Sequence, residues 1–331
     1  MAKARAIVKR RKAVRNIRKI TKTMQMIATA KFQKALRRAV GTKPYTLKVR
    51  ELVAELAAAV GGNVEHPLLR EVNDKNRTKR IALFVITSNR GLAGAYNGSV
   101  IRAAQVFIRQ QEAAGMAIDL YVVGKKGIAY FTFQKRPIKG RVEIDSDTPK
   151  FAEVERGAGK IMDAFTSGEL DGVYVAYMNF ISTGQQKAEV MQVLPLAGLS
   201  QTLDHIANQS AEKEAQLAAG SLDAKRTGAA HTAHQHAGVG QLVAETVYDF
   251  SPDPKGILDY LLPLTVKTAL FQAFLDAASS ENVARMVAMK SATDNADKMV
   301  KSLTMQYNRA RQSQITTELA EIMGGVESMK K

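Results

Sequence analysis

Residues 264–323 read LTVKTALFQAFLDAASSENVARMVAMKSATDNADKMVKSLTMQYNRARQSQITTELAEIM, without one Gly or Pro. A run of good helix formers with no breaker predicts one long helix. At ~1.5 Å of rise per residue, sixty residues span roughly 90 Å. A domain of ordinary size has no use for such a helix, so the chain is built to reach across something. Phe250-Ser-Pro-Asp-Pro254 precedes it as a turn that opens the helix with Pro at its start.

The other end of the chain has the same texture and a different charge. Residues 1–40 contain no Gly or Pro, and residues 1–50 hold 17 of the 48 Lys and Arg with no Asp or Glu. The formal net charge of +17 therefore lies entirely in the first fifty residues, the remainder being balanced. Such an excess is an electrostatic handle for nucleic acid, anionic lipid or an acidic protein surface, or else a solvated helix face. Ile17, Ile20, Met24 and Ile27 recur at spacings of three and four, which is one apolar stripe of a helix. Gly41 and Pro44 interrupt the pattern, and Pro44 predicts a kink or an end. Helical character resumes over 45–60, and Gly61-Gly62 stop it. The C-terminal run carries its own narrow stripes: Val283, Met286 and Val287, then Met299 and Leu303, then Ile315, Leu319 and Ile322. Two narrow-striped helices, over 1–60 and 255–329, suit a long antiparallel coiled coil.

Between them, residues 78–200 read as a small Rossmann-like α/β domain with a mainly parallel sheet. Strands are expected at 80–86, 118–123, 172–178 and 190–196, and helices at 99–114, 125–133 and 151–166. The Gly-bearing loop Ser88-Asn-Arg-Gly-Leu-Ala-Gly94 after the first strand invites a phosphate-binding reading. Gly91 and Gly94 do not form G-x-G-x-x-G, no G-K-[ST] follows, and Gly124-Lys-Lys-Gly127 fails the same test. With no Ser-His-Asp set or carboxylate pair in view, the loop is a tight turn, and a nucleotide-dependent enzyme is the weaker reading. The chain has no Cys, which excludes structural disulfides, thiol catalysis and thiolate-held metals. No apolar run approaches ~18 residues, so no segment is expected to span a bilayer. The charged N-terminus, with no apolar core before a cleavage site, is not expected to be a secretory signal.

Residues 201–246 form a polar insertion rich in Ala, Gln and His. Four of the five histidines lie there: His205, His231, His234 and His236. The last three are imidazoles within reach of a shared metal, but no carboxylate or Cys pattern accompanies them, and a surface insertion is favoured.

These residues carry a resemblance. Ile315-Thr-Thr-Glu-Leu-Ala-Glu-Ile322 with Gly325, Arg285-Met-Val-Ala-Met-Lys290, Ala292-Thr-Asp-Asn295, Lys19-Ile-Thr-Lys22 with Met24, Met26, Ala28 and Lys31, and Arg90-Gly-Leu92 with Gly94 together resemble the gamma subunit of the F-type ATP synthase. The likeness runs from end to end apart from the insertion. Val326, Thr23, Asn89 and Ala93 depart from the family's usual Ala, Ala, Asp and Cys. The resemblance implies a non-catalytic rotor shaft without cofactor, metal, nucleic acid or direct small-molecule substrate. Its implied partners are the alpha, beta, delta and epsilon subunits of F1 and the c-subunit ring, at the cytoplasmic face of a bacterial plasma membrane. It implies rotor–stator contacts at Lys19, Thr21, Lys22, Met24, Met26, Arg285, Gln312, Ile315, Thr316, Glu318 and Glu321. It implies a foot toward epsilon and the c-ring at Arg90, Gly91, Tyr248 and Phe250. The insertion falls where chloroplast members carry a thiol switch, which a chain without Cys cannot operate. A basic coiled-coil protein that binds nucleic acid is the alternative reading of the first fifty residues.

Overall fold

The computed structural model describes residues 2–59, 66–69, 78–142, 144, 148–196 and 254–329. The insertion at 201–246 with its four histidines, and Tyr248 and Phe250, lie outside the described residues.

Helix α1 runs over Ala2–Ala59. It does not end at Pro44, as the breaker pattern allowed. A proline inside a helix removes one ladder hydrogen bond but leaves the turns on either side intact. Beyond it, Val49 and Val53 are buried, and burial of the following turns holds the helix together. The C-terminal helix, α5, runs over Pro254–Ser328, 75 residues, beginning at the expected Pro and passing through Pro263.

Between them come β1 (Arg80–Ile86), α2 (Tyr96–Ala113), β2 (Ala117–Val123), α3 (Lys125–Phe133), β3 (Gly140–Val142), α4 (Phe151–Thr166), β4 (Gly172–Phe180) and β5 (Gln186–Leu194). The sheet order is β3-β2-β1-β4-β5. β1 lies parallel to β2 and β4, with Phe84 opposite Tyr121 and Val175, and β2 lies parallel to β3. Two features differ from expectation. β3 is three residues long and carries no apolar run, so pattern reading passes over it. β5 starts four residues before the expected 190 and pairs antiparallel with β4. The cause is the connection: Ser182 and Gln185 exchange backbone hydrogen bonds, a tight turn that leaves no room for a crossover helix.

The sheet is buried on both faces, as a parallel sheet requires. Ala82, Phe84 and Ile86 share one core with Val173 and Val175, with Val154, Ile161 and Phe165 of α4, with Leu262, Val266 and Phe274 of α5, and with Val53 of α1. Ile81, Leu83 and Val85, pointing the other way, are equally buried. One 18-residue window within α5 is apolar enough by composition to cross a membrane, so the expectation that no segment qualifies was too strict. About 61% of that window is buried inside the fold, as befits a core helix.

Two polar devices fix the sheet's ends. Asp171 accepts hydrogen bonds from the Thr78 and Lys79 backbone N–H groups and the Thr78 hydroxyl, which ties the start of β1 to the start of β4. Gly124 sits at φ 87, where a Cβ would stand 2.2 Å from the Thr87 carbonyl oxygen; only Gly fits that crossing. Near α5, His66 Nδ1 accepts from the Leu68 N–H, and its Nε2 lies 3.8 Å from Asp259. Burial lowers the His66 pKa below its ordinary value, against the opposing pull of Asp259.

The chain divides into two compact units. One is Met1–Lys34, Gly91–Ala95 and Glu281–Lys331; the other is Ala35–Arg90 and Tyr96–Ser280.

Candidate interaction surface of the helix pair

In the first unit, α1 and α5 are joined by a seam that the apolar stripes marked only in part, at Leu303. Its buried residues on α1 are Val14, Thr21, Ala28 and Phe32; on α5 they are Met289, Thr293, Ala296 and Leu303. Val14, Ala296 and Leu303 form one apolar cluster, with Ile7 and Val300 against it. The Thr21 and Thr293 hydroxyls meet at 2.8 Å across the seam. Arg18 Nε pairs with Asp297 at 2.5 Å, and the Arg11 guanidinium sits 5.0 Å from the centre of the Tyr307 ring. Small residues at the contact let helices approach closely.

The larger apolar side chains are displayed instead. Ile17, Ile20 and Ile27 are 53%, 59% and 51% exposed, and Val287 and Met299 on the partner helix are exposed too. Met24 is half-buried and Met26 exposed. The predicted stripe is thus real, but it faces outward rather than into the coiled coil. Lys19 and Lys22 stand exposed beside it. Toward the end of α5, Ile315, Leu319, Ile322 and Met323 are exposed as well. Gln312, Thr316, Glu318 and Glu321 lie exposed on the same segment. The Thr316 hydroxyl donates to the Gln312 carbonyl, and Gln314 donates to Glu318.

Two of the expected contact residues are placed differently. Thr21 is buried in the seam against Thr293. Arg285 is 7% exposed and bonds through its guanidinium to Glu281 Oε1 at 2.6 Å, one turn earlier on the same helix. In this chain both are interior groups. Arg285 and Gln312 are also separated by roughly 40 Å at ~1.5 Å per residue, so they belong to different levels of the helix. Of the expected foot residues, Arg90 is exposed and Gly91 half-buried. In the loop beyond them, Leu92 is exposed at φ 63, and a Cβ added to Gly94, itself at φ 54, would stand 3.7 Å from the Ala284 carbonyl oxygen.

Sequence reading missed Thr293, Asp297 and Tyr307. The signal that would have found the seam is a period of seven. Val14, Thr21 and Ala28 are seven apart, as are Met289, Ala296 and Leu303, and Thr293, Val300 and Tyr307. Threonine and alanine at those positions hide the repeat from a search for large apolar residues.

The α/β unit spends the groups that a phosphate site would need. At the start of α3, the Lys125 N–H goes to Asn89 Oδ1, the Lys126 N–H to the Ser88 carbonyl and the Gly127 N–H to the Thr87 hydroxyl. These are donors that a helix N-terminus would otherwise offer to an anion. The Ser88 N–H is held by Asn97 Oδ1. In a sheet of this order, ligands enter at the carboxyl ends of β1 and β4. There Ser280 of α5 donates its hydroxyl to the Met178 carbonyl. A separate cavity of about 310 Å³ is lined by Gln105, Ile108, Arg109, Phe131, Gln134 and Arg136. Its polar groups are largely engaged with neighbours: Tyr130 OH accepts from Gln105 and Gln134, and Arg136 pairs with Glu112.

Comparison with known proteins bears on this arrangement. A family model described as ATP synthase matches residues 3–329. The ATP synthase gamma chain of Rhodopirellula baltica is 39% identical over 330 residues, covering 100% of both chains. That of Streptomyces coelicolor is 32% identical, covering 99% of this chain and 96% of its own. Among solved structures, one chain of the Euglena gracilis mitochondrial ATP synthase, seen with OSCP, F1 and c-ring in rotational state 3, is similar in fold. It gives a TM-score of 0.59 over 99% of this chain and 95% of that one, at 17% identity.

Proposed function

This chain belongs to the ATP synthase gamma chain family, the rotor stalk of the complex, and from that premise we propose how its surfaces divide the work. The paired helices of the first unit are the part that turns inside a ring of alpha and beta subunits. The α/β unit faces epsilon and the c-subunit ring, and delta completes the F1 sector. The complex sits at the cytoplasmic face of a bacterial plasma membrane. Among the residues assigned to the stator side are Lys19, Lys22, Met24, Met26, Gln312, Ile315, Thr316, Glu318 and Glu321; Arg90, Gly91, Tyr248 and Phe250 are assigned to the foot. Thr21 and Arg285 act from within the shaft.

The observation that carries this reading is the inverted helix pair. Its seam buries Val14, Phe32, Met289 and Leu303 together with Thr21, Thr293, Ala28 and Ala296, while Ile17, Ile20 and Ile27 remain exposed. An isolated coiled coil gains more by burying the isoleucines. A face of large apolar residues ringed by Lys and Arg fits a sleeve of another protein. Each orientation of such a shaft favours a different conformation in each surrounding subunit, which is how rotation becomes work at sites the chain does not itself hold.

Among the described residues, the donors that the start of α3 would offer to a phosphate are internally engaged. Purified chain should therefore show no ATP hydrolysis, while chain combined with alpha and beta subunits should co-purify as one complex that hydrolyses ATP. Hydrolysis by the chain free of beta subunit, or failure to co-purify, would overturn the reading.

A further inference from the structure

We propose that the buried Thr21–Thr293 hydroxyl pair is a register pin: it specifies how the two helices are staggered rather than how tightly they associate. This goes beyond the shaft reading and can be tested on the chain alone. The Thr21 hydroxyl lies 3.1 Å from the Arg18 carbonyl, and that of Thr293 lies 2.8 Å from the Met289 carbonyl, each within its own helix. The two oxygens are also 2.8 Å from each other. Two hydroxyls own two protons, so these three contacts need a definite sharing. One proton returns to a carbonyl of its own helix, and the other crosses the seam.

A stagger shifted by one turn leaves both hydroxyls bonded only to their own helices and sets each against an apolar or methyl-bearing neighbour. What is lost is the cross-seam bond, worth roughly fivefold to tenfold in the balance between two arrangements. The apolar part of the seam, Val14, Phe32, Met289 and Leu303, is held by burial, which is not directional. Ala28 and Ala296 offer little shape, and Arg18 and Asp297 are half in water, where an ion pair tolerates adjustment. A single polar position in an otherwise apolar seam is how coiled coils fix register, at some cost in stability. In a shaft, slippage of the register would absorb twist that ought to be transmitted.

The absence of Cys makes the test direct. Spin labels are placed on Lys12→Cys and Lys290→Cys in the full chain, and the distance between them is measured by pulsed electron resonance. The chain with native threonines should give one narrow distance. Thr21→Val with Thr293→Val keeps the shape and removes both hydroxyls. That chain should unfold at the same temperature or higher, yet show a second distance displaced by up to about 5.4 Å, one helical turn. Thr21→Ser with Thr293→Ser, which keeps the hydroxyls, should show one distance. A single distance of native width in the double Val chain overturns the proposal. So does loss of folding or heat stability in that chain, because the pair would then supply stability rather than register. Two distances in the double Ser chain would assign the effect to the methyl groups and overturn it equally.

Discussion

Replacing Arg285 by Ala should destabilise this chain by about 3–5 kcal/mol, the usual consequence of breaking one side of a buried ion pair. Glu281 is 1% exposed, and Arg285 donates to it at 2.6 Å. The spacing of four with Glu on the N-terminal side is the favourable order along a helix. Removing the guanidinium leaves a carboxylate among buried neighbours Ser280, Asn282 and Val283, out of reach of bulk water. Urea unfolding followed by circular dichroism measures the effect directly. Lys290→Ala, at an exposed position on the same helix, should fall within about 0.5 kcal/mol of the starting chain. Replacing both partners, Arg285→Met with Glu281→Leu, should recover most of the loss, since the penalty lies in a buried carboxylate that has lost the guanidinium beside it. An Arg285→Ala chain as stable as its parent would show that the pair is not the buried tie it looks to be.

Ile20→Glu combined with Ile27→Glu should do the reverse, sparing the fold and abolishing function. Both isoleucines are more than half exposed in the chain. Unfolding of the isolated chain should change by less than about 1 kcal/mol. In the assembled complex the same positions are proposed to be covered. Losing the burial of two isoleucine side chains, at ~1.5–3 kcal/mol each, and desolvating two carboxylates should weaken assembly at least about 100-fold. Co-purification with alpha and beta subunits reads this out, and ATP-driven proton pumping should be lost with it. Normal assembly by a folded double mutant would mean that the outward stripe is ordinary solvated surface.

These contrasting expectations trace what the sequence could and could not convey. The breaker-free runs 1–40 and 264–323 marked the greater part of both terminal helices, but the helices run on through Pro44 and Pro263, whose effect is local and is overridden by packing. Strands β1, β2 and β4 were legible as β-rich apolar runs, since a strand buried on both faces has no polar alternation to confuse it. β3 was not, because its three residues Gly140, Arg141 and Val142 are held by pairing to β2 rather than by their own composition. The direction of β5 was not, because it follows from the turn between Ser182 and Gln185. The facing of the helix pair was the instructive failure. Ile17, Ile20, Met24 and Ile27 read as the natural inner face of a coiled coil, and hydrophobicity alone supports that reading. The true seam is a seven-residue repeat that mixes Val, Thr and Ala with Met289, Leu303 and Tyr307, and the exposed second stripe is the face proposed above to meet another protein. Thr21 and Arg285 were picked out by resemblance, yet what they touch could be seen only once the helices were laid together.

The central claim, that this chain turns as a shaft, can be observed by rotation. A single Cys introduced at the exposed Lys160 on α4 gives one attachment point, since the chain has no other Cys. A bead is coupled there in a complex whose alpha and beta subunits are fixed to a surface, and ATP is added. The expected result is continuous rotation in one direction that lasts as long as ATP is hydrolysed and stops when it is exhausted. Full-rate hydrolysis under a bead that does not turn would contradict the claim.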